Sequence, residues 1–150
     1  MNLIKRVIIF GGTDAAFYFA CQARAKDLEV IFVTDPFRLN SNVNKEKTLR
    51  VALNEANIRF IETINIKKND LISLIDKNTI GFSIVTFWIF KKEIIDLFKG
   101  HFYNYHGALL PDEKGGGSFT WKILRQNLNG GLSIHKIIPE LDEGPIVLEE

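Results

Sequence analysis

Asn104 and His106 stand two residues apart at the end of an apolar and aromatic run, "FYNYH", just before the chain bends at Pro111. Side chains alternate faces along a strand, so an amide and an imidazole at this spacing project to one side. In an open α/β sheet, ligands bind outside the carboxyl ends of the strands, where such a pair would sit. The pair alone is equally what a capped strand end with a hydrogen-bonded histidine looks like. Asp142 adds a carboxylate from the acidic turn "LDEGP", whose Gly144 and Pro145 break regular structure. A carboxylate beside an imidazole holds its tautomer and raises its basicity, which a proton-handling histidine requires. Taken singly, an acidic turn is ordinarily just solvated.

The elements that must position these groups alternate. Residues 7–10 form a short apolar run ended by Gly11 and Gly12, and Asp14 opens a helix through "AAFYFACQARA". With a second apolar strand at 28–35 this unit closes as βαβ, which implies parallel pairing and a right-handed crossover. Residues 36–44, rich in turn formers, predict a loop, and 45–56 a helix with Leu49, Ala52, Leu53 and Ala56 on one face. "NIRFIET" predicts a third strand, "NDLISLIDK" a helix capped by Asn69, and the run at 80–90 a buried strand. "KKEIIDLF" predicts a short helix and "GHFYNYH" a fifth strand. Beyond the loop "PDEKGGG", the pattern predicts a helix capped by Ser118 and then two strands flanking the acidic turn. Alternating strands and helices define an α/β fold, a Rossmann-like, mostly parallel open sheet with helices on both faces.

The turn "GGTDAA" lacks the second and third glycines of a dinucleotide fingerprint. Its backbone N–H groups at a helix start would still accept a phosphate or carboxylate, unless it is a structural turn whose donors Asp14 caps.

The text "NYHGALLPDEKG", a helix, and then "GGLSIHKIIPELDEGPIVLEE" resembles the 10-formyltetrahydrofolate-dependent formyltransferases. That family is marked by Asn-x-His, a Leu-Leu-Pro loop and an Asp-x-Gly turn, matched here by Asn104, His106, Leu109, Leu110, Pro111, Asp142 and Gly144. The opening "FGGTDAAFYFA" is similar more loosely. The resemblance implies a catalytic domain over residues 1–150, with Asn104, His106 and Asp142 catalytic and 10-formyltetrahydrofolate as co-substrate. It places the pterin between Thr86, Phe87, Trp88, Ile89 and Phe90 on one side and Glu140, Leu141, Asp142, Glu143 and Gly144 on the other. Acceptor contacts fall to Gly11, Gly12, Thr13, Gly107 and Ala108. Two departures stand out: Ala108 replaces a usual serine, and Lys114 replaces a usual arginine, keeping a cation but losing the bidentate fork. The layout points to a nucleotide-linked amino sugar as acceptor. Glycinamide ribonucleotide, methionyl-tRNA, hydrolysis of the donor and a non-catalytic folate- or nucleotide-binding module remain alternatives. The chain ends inside an expected strand, "PIVLEE", as a fragment would.

Composition bounds the partners. Lys plus Arg number 19 against 18 Asp plus Glu, so no net field favours nucleic acid or a membrane surface. The longest apolar run is about half of the roughly 20 residues that span a bilayer, and the N-terminus has no signal-peptide pattern. A cytoplasmic location is therefore expected, with a small-molecule amine as partner and a homodimer left open. Cys21, the single cysteine, excludes an internal disulfide. No metal is expected, since three scattered histidines offer no ligand cluster. His135, His101 and Cys21 read as structural, and "NVNKEK" as a solvated face.

Overall fold

The computed structural model describes residues 3–127 and 129–150; Met1, Asn2 and Leu128 lie outside it. A seven-stranded sheet runs in the order β5-β2-β1-β6-β7-β8-β9. These strands are β1 (Arg6–Gly11), β2 (Glu29–Thr34), β5 (Arg59–Glu62), β6 (Thr79–Ile84), β7 (Phe102–His106), β8 (Ser133–Lys136) and β9 (Ile146–Glu149). Strands β5, β2, β1, β6 and β7 pair in parallel, while β8 and β9 are added antiparallel to their neighbours. A two-stranded ribbon of β3 (Asn42–Val43) and β4 (Lys47–Thr48) stands apart. The helices are α1 (Asp14–Arg24), α2 (Pro36–Leu39), α3 (Leu49–Glu55), α4 (Lys68–Leu71), α5 (Lys92–Ile95), continued as a 3-10 turn at Asp96–Phe98, and α6 (Ser118–Leu124).

The near-continuous apolar runs of β1 and β2 follow from burial on both faces. On one face Val7, Ile9, Val30 and Phe32 pack under Ala16 and Ala20 of α1 and Leu49 and Leu53 of α3. On the other, Ile8, Phe10, Ile31 and Val33 meet Leu71, Ile94, Phe98 and Phe102. The chain leaves β1 to one side for β2 and returns to its other side as β6, so the sheet reverses between β1 and β6. A crevice at the carboxyl ends is expected at such a reversal.

Several local expectations are corrected. Thr13, not Asp14, caps α1 through its hydroxyl, while an Asp14 oxygen accepts the Asn44 N–H. The predicted loop at 36–44 contains α2 and β3, because Asp35 Oδ1 accepts the N–H groups of Phe37 and Arg38 at 3.0 and 3.1 Å and Pro36 suits a first turn. The following helix begins only at Leu49, as Lys47 and Thr48 are taken by the ribbon. Lys67 rather than Asn69 precedes α4, and Ser118 lies inside α6 after Gly117, so neither predicted cap makes its hydrogen bond. The run at 80–90 is a strand only to Ile84. Val85 turns left-handed at φ 50°, a costly conformation for a β-branched residue, and residues 86–90 leave the sheet, exposing Phe87 and Ile89. No helix among the described residues is long and apolar enough to cross a membrane.

Candidate active site

Strand β7 ends at His106, and antiparallel β8 sets His135 directly opposite Asn104 and Ser133 opposite His106. Directly opposed residues share one face of a sheet, so this register alone carries the amide to the second imidazole. Asn104 Nδ2 lies 3.1 Å from His135 Nε2. The other ring nitrogen of His135, Nδ1, lies 3.0 Å from the Lys136 carbonyl, which can only accept. Nδ1 therefore carries the proton in the neutral ring, and Nε2 accepts from the Asn104 amide. His135 is 2% exposed, and burial pushes its pKa below the ordinary histidine value, keeping the ring neutral. One N–H of the Asn104 amide is thus tied back, leaving its second N–H for a ligand oxygen.

Asp142 reaches this pair from the β8–β9 turn. Its φ of 54° is left-handed, a conformation that aspartate tolerates better than most residues. Gly144 follows because the turn presses onto the Lys136 carbonyl, and a Cβ there would overlap it. The carboxylate lies between two imidazoles, with Oδ2 3.8 Å from His106 Nδ1 and Oδ1 3.5 Å from His135 Nε2. Oδ2 also accepts the Gly115 N–H at 2.8 Å. His106 Nε2 donates to the Glu113 carbonyl at 2.6 Å, so in the neutral ring Nδ1 is the bare nitrogen and a proton added there faces Asp142.

The loop after β7 is locked. Ser133 Oγ donates to the Ala108 carbonyl and accepts the Leu110 N–H, both at 3.0 Å, so a buried hydroxyl from β8 serves the loop where Ala108 itself has none. Glu113 accepts the Leu109 N–H and pairs with Lys122 of α6 at 2.7 Å, and Lys122 holds its carboxyl below the usual range. Lys114 pairs with Glu143 at 3.1 Å, tying this loop to the acidic turn.

Asn104, His106 and Asp142, separate in sequence, therefore come together, and His135 joins them. The expected clamp is only partly assembled. A cavity of about 480 Å³ is lined by Trp88, Ile89 and Phe90, but its far wall comes from residues 65–69 and not from the 140–144 turn. Trp88 fixes that wall, donating its indole N–H to the Ile64 carbonyl at 3.0 Å and packing edge-on against Phe10. Thr86 accompanies Ser83, hydroxyl to hydroxyl at 3.2 Å. Glu140 and Leu141 are exposed.

At the acceptor side Gly107 is exposed and Ala108 is wholly buried. A Cβ on Gly11 would meet Ala16 Cβ at 2.6 Å and the Ile84 carbonyl oxygen at 2.9 Å, so this glycine is required for packing. The Arg38 side chain lies across Gly12, donates to the Val85 carbonyl at 2.8 Å and rests over Phe87. Cys21 is half-buried, and burial raises its thiol pKa.

Residues 5–150 match the family model described as formyl transferase. The chain belongs to the formyl transferase family. Among curated proteins it is similar to methionyl-tRNA formyltransferase of Fusobacterium nucleatum, 29% identical over 149 residues, covering 95% of this chain and 48% of that protein. The same enzyme of Mycoplasma genitalium is 32% identical over 119 residues, covering 76% of this chain and 37% of that protein. The chain spans about half or less of the length of these relatives. Among solved structures it is similar to an N-formyltransferase from Helicobacter canadensis in complex with folinic acid and dTDP-3-aminofucose, with a TM-score of 0.75 and 21% identity. That alignment covers 99% of this chain and 52% of that one. Phosphoribosylglycinamide formyltransferase of Bacillus halodurans follows at a TM-score of 0.73 and 19% identity, covering 97% of this chain and 78% of that one. These likenesses establish the Rossmann-like formyltransferase fold.

Proposed function

We propose that this chain transfers a formyl group from 10-formyltetrahydrofolate to a primary amine. The observation that carries this reading is the meeting of Asn104, His106, His135 and Asp142 at the carboxyl end of β7, within a chain of this family. Attack by a neutral amine on the formyl carbon places negative charge on the formyl oxygen and positive charge on the amine. The free N–H of Asn104 is the donor for that oxygen, such a donor typically contributing about 3 kcal/mol, while a protonated His106, its ring N–H groups directed at the Glu113 carbonyl and Asp142, stabilises the developing negative charge by its own positive charge. Asp142 stabilises the imidazolium and takes the amine proton, through water, towards the leaving folate nitrogen. His135, neutral, holds the Asn104 amide in orientation. The folate lies along residues 86–90, with Glu140, Leu141, Glu143 and Gly144 at its pterin edge, and the acceptor enters past Gly107 and the Gly11, Gly12, Thr13 turn.

A nucleotide-linked amino sugar is the acceptor favoured by the motif layout. A second reading, the methionyl amine of an aminoacyl-tRNA, is favoured by the 29% identity across 95% of the chain. The test incubates the protein with 10-formyltetrahydrofolate and, separately, dTDP-3-aminofucose, glycinamide ribonucleotide, methionyl-tRNA or no amine. Formation of tetrahydrofolate is followed alongside the formylated product. A formylated product with one amine, lost in Asp142→Asn, supports the reading and selects the acceptor. Formate released equally with and without amine replaces transfer by hydrolysis. No turnover and no folate binding by folded protein removes the reading.

A further inference from the structure

Helix α6 ends inside out: Trp121, Ile123 and Leu124 are exposed, while the side chain of Lys122 is only 11% exposed. An ammonium withdrawn from water is costly unless it is paired. Its partner is Glu113, at 2.7 Å. The other lysine ion pairs among the described residues, at Lys47, Lys92 and Lys114, leave the lysine side chain at least 42% exposed, where such pairs contribute little. Water and salt screen the Lys122 pair less.

Glu113 is fixed through both its backbone and its side chain. Its N–H donates to the Leu109 carbonyl at 3.0 Å, and its carboxylate accepts the Leu109 N–H at 3.1 Å, closing the turn 109–113 on itself. Its own carbonyl accepts from His106 Nε2 at 2.6 Å. Gly107, Gly115 and Gly116, on either side of this turn, have open space where a Cβ would stand, so the flanking chain is too permissive to aim that carbonyl. The tether to α6 supplies the aim.

We propose that Lys122 is a positioning residue for His106, acting through Glu113: the ion pair fixes the Glu113 carbonyl against Nε2, leaving Nδ1 as the one site where the ring takes up a proton. The inference rests on the role given to His106 above. The groups facing this ring are Asp142 from the β8–β9 turn at 3.8 Å, the neutral His135 from β8 with ring centroids 6.4 Å apart, and Glu113 from the loop. Lys122 holds the Glu113 carboxyl below its usual range, so both partners stay charged. Opposite charges this close largely cancel at a distance, so the pair acts on the ring by placing the carbonyl. With the carbonyl displaced, Nε2 is open to water, the neutral ring carries its proton on either nitrogen, and a proton taken up at Nε2 does not face Asp142.

The test reads the imidazoles directly. The chain has three histidines, so long-range proton–nitrogen NMR spectra of histidine-labelled protein resolve each ring, with His106→Gln assigning one set of signals. Spectra are taken at about pH 9, well above the unperturbed imidazole value of about 6.5. Wild type should show His106 protonated at Nε2 alone and His135 at Nδ1 alone. In Lys122→Met the His106 signals should become those of a tautomer mixture while His135 is unchanged, which reports an intact fold, and Lys122→Arg should restore the wild-type pattern. Glu113→Gln, which keeps the carbonyl and an acceptor for Leu109 but removes the ion pair, should release His106 in the same way and serves if Lys122→Met does not fold. Formyl transfer is measured with whichever of the three amines named above supports turnover. Lys122→Met should lower kcat between about tenfold and a hundredfold, as misplacement of a reacting group does, with KM for the donor little changed. A single Nε2-protonated His106 in both variants, or a tautomer mixture with unchanged kcat, overturns this inference and leaves the folate reading standing. No turnover by folded wild type with any amine overturns both.

Discussion

The two ends of the sheet are built on opposite terms. In β1 and β2 every residue but the first is buried, and Phe10 alone contacts Trp88, Phe90, Phe98 and Phe102. At the other end, β9 is exposed along its whole length, and Trp121, Ile123 and Leu124 of α6 face outwards. Between them, strand β8 and the β8–β9 turn bury polar groups: Ser133 and His135 are at most 2% exposed and Asp142 only 9%. Buried polar groups are tolerated only when hydrogen-bonded, and each of these has a partner. The parallel end supplies cohesion, and the antiparallel addition supplies groups whose protonation and hydrogen bonding can change during a reaction.

This contrast can be broken by substitution. Under the function proposed above, Asp142→Asn should lower formyl transfer by about a hundredfold to ten-thousandfold, the usual worth of a positioned acid–base group. Its urea midpoint should stay near wild type, because an amide oxygen can still accept the Gly115 N–H. Comparable losses of stability and rate would erase the distinction between the two ends. Phe10→Ala should do the reverse, costing about 3 to 5 kcal/mol in chemical unfolding through the cavity it leaves.

The pH dependence sharpens the comparison on the polar side. Burial lowers the pKa of His135 in the folded state from its ordinary 6.5. Between the folded and unfolded values the unfolded chain binds more protons, so stability rises with pH there. The stability conferred by the neutral ring is complete above the unfolded value and is lost as pH falls through it towards the folded one. Urea unfolding at a series of pH values should show that decline, and His135→Gln should flatten it. The smallest effect belongs to the parallel side: Thr13→Ala, which removes the α1 cap, should cost about 1 kcal/mol in thermal unfolding.

Much of the architecture was legible. Strands β1, β2, β5, β6 and β7 and the flanking helix α1 follow from continuous apolar runs and turn residues, which report burial directly. The failures were local and have physical causes. Asp35 turned a presumed loop into a helix by capping it, since a run of turn formers does not reveal which side chain will accept which N–H. The apolar stretch at 80–90 left the sheet at Val85, as apolarity does not distinguish a strand from a wall over the core. His135 gave only an alternating-strand signal, the same as any half-buried strand residue.

The sequence by itself determined the element types, the two-sided core and the chemical identities at positions 104, 106 and 142, because side-chain period and composition are properties of the chain. Only the tertiary structure decided that β8 returns antiparallel with His135 opposite Asn104, and that Asp142 reaches between two imidazoles. Register is a relation between segments distant in the chain, and a shift of one residue would turn His135 to the other face. The hydrogen bonds that settle each ring's proton exist only once that register is chosen.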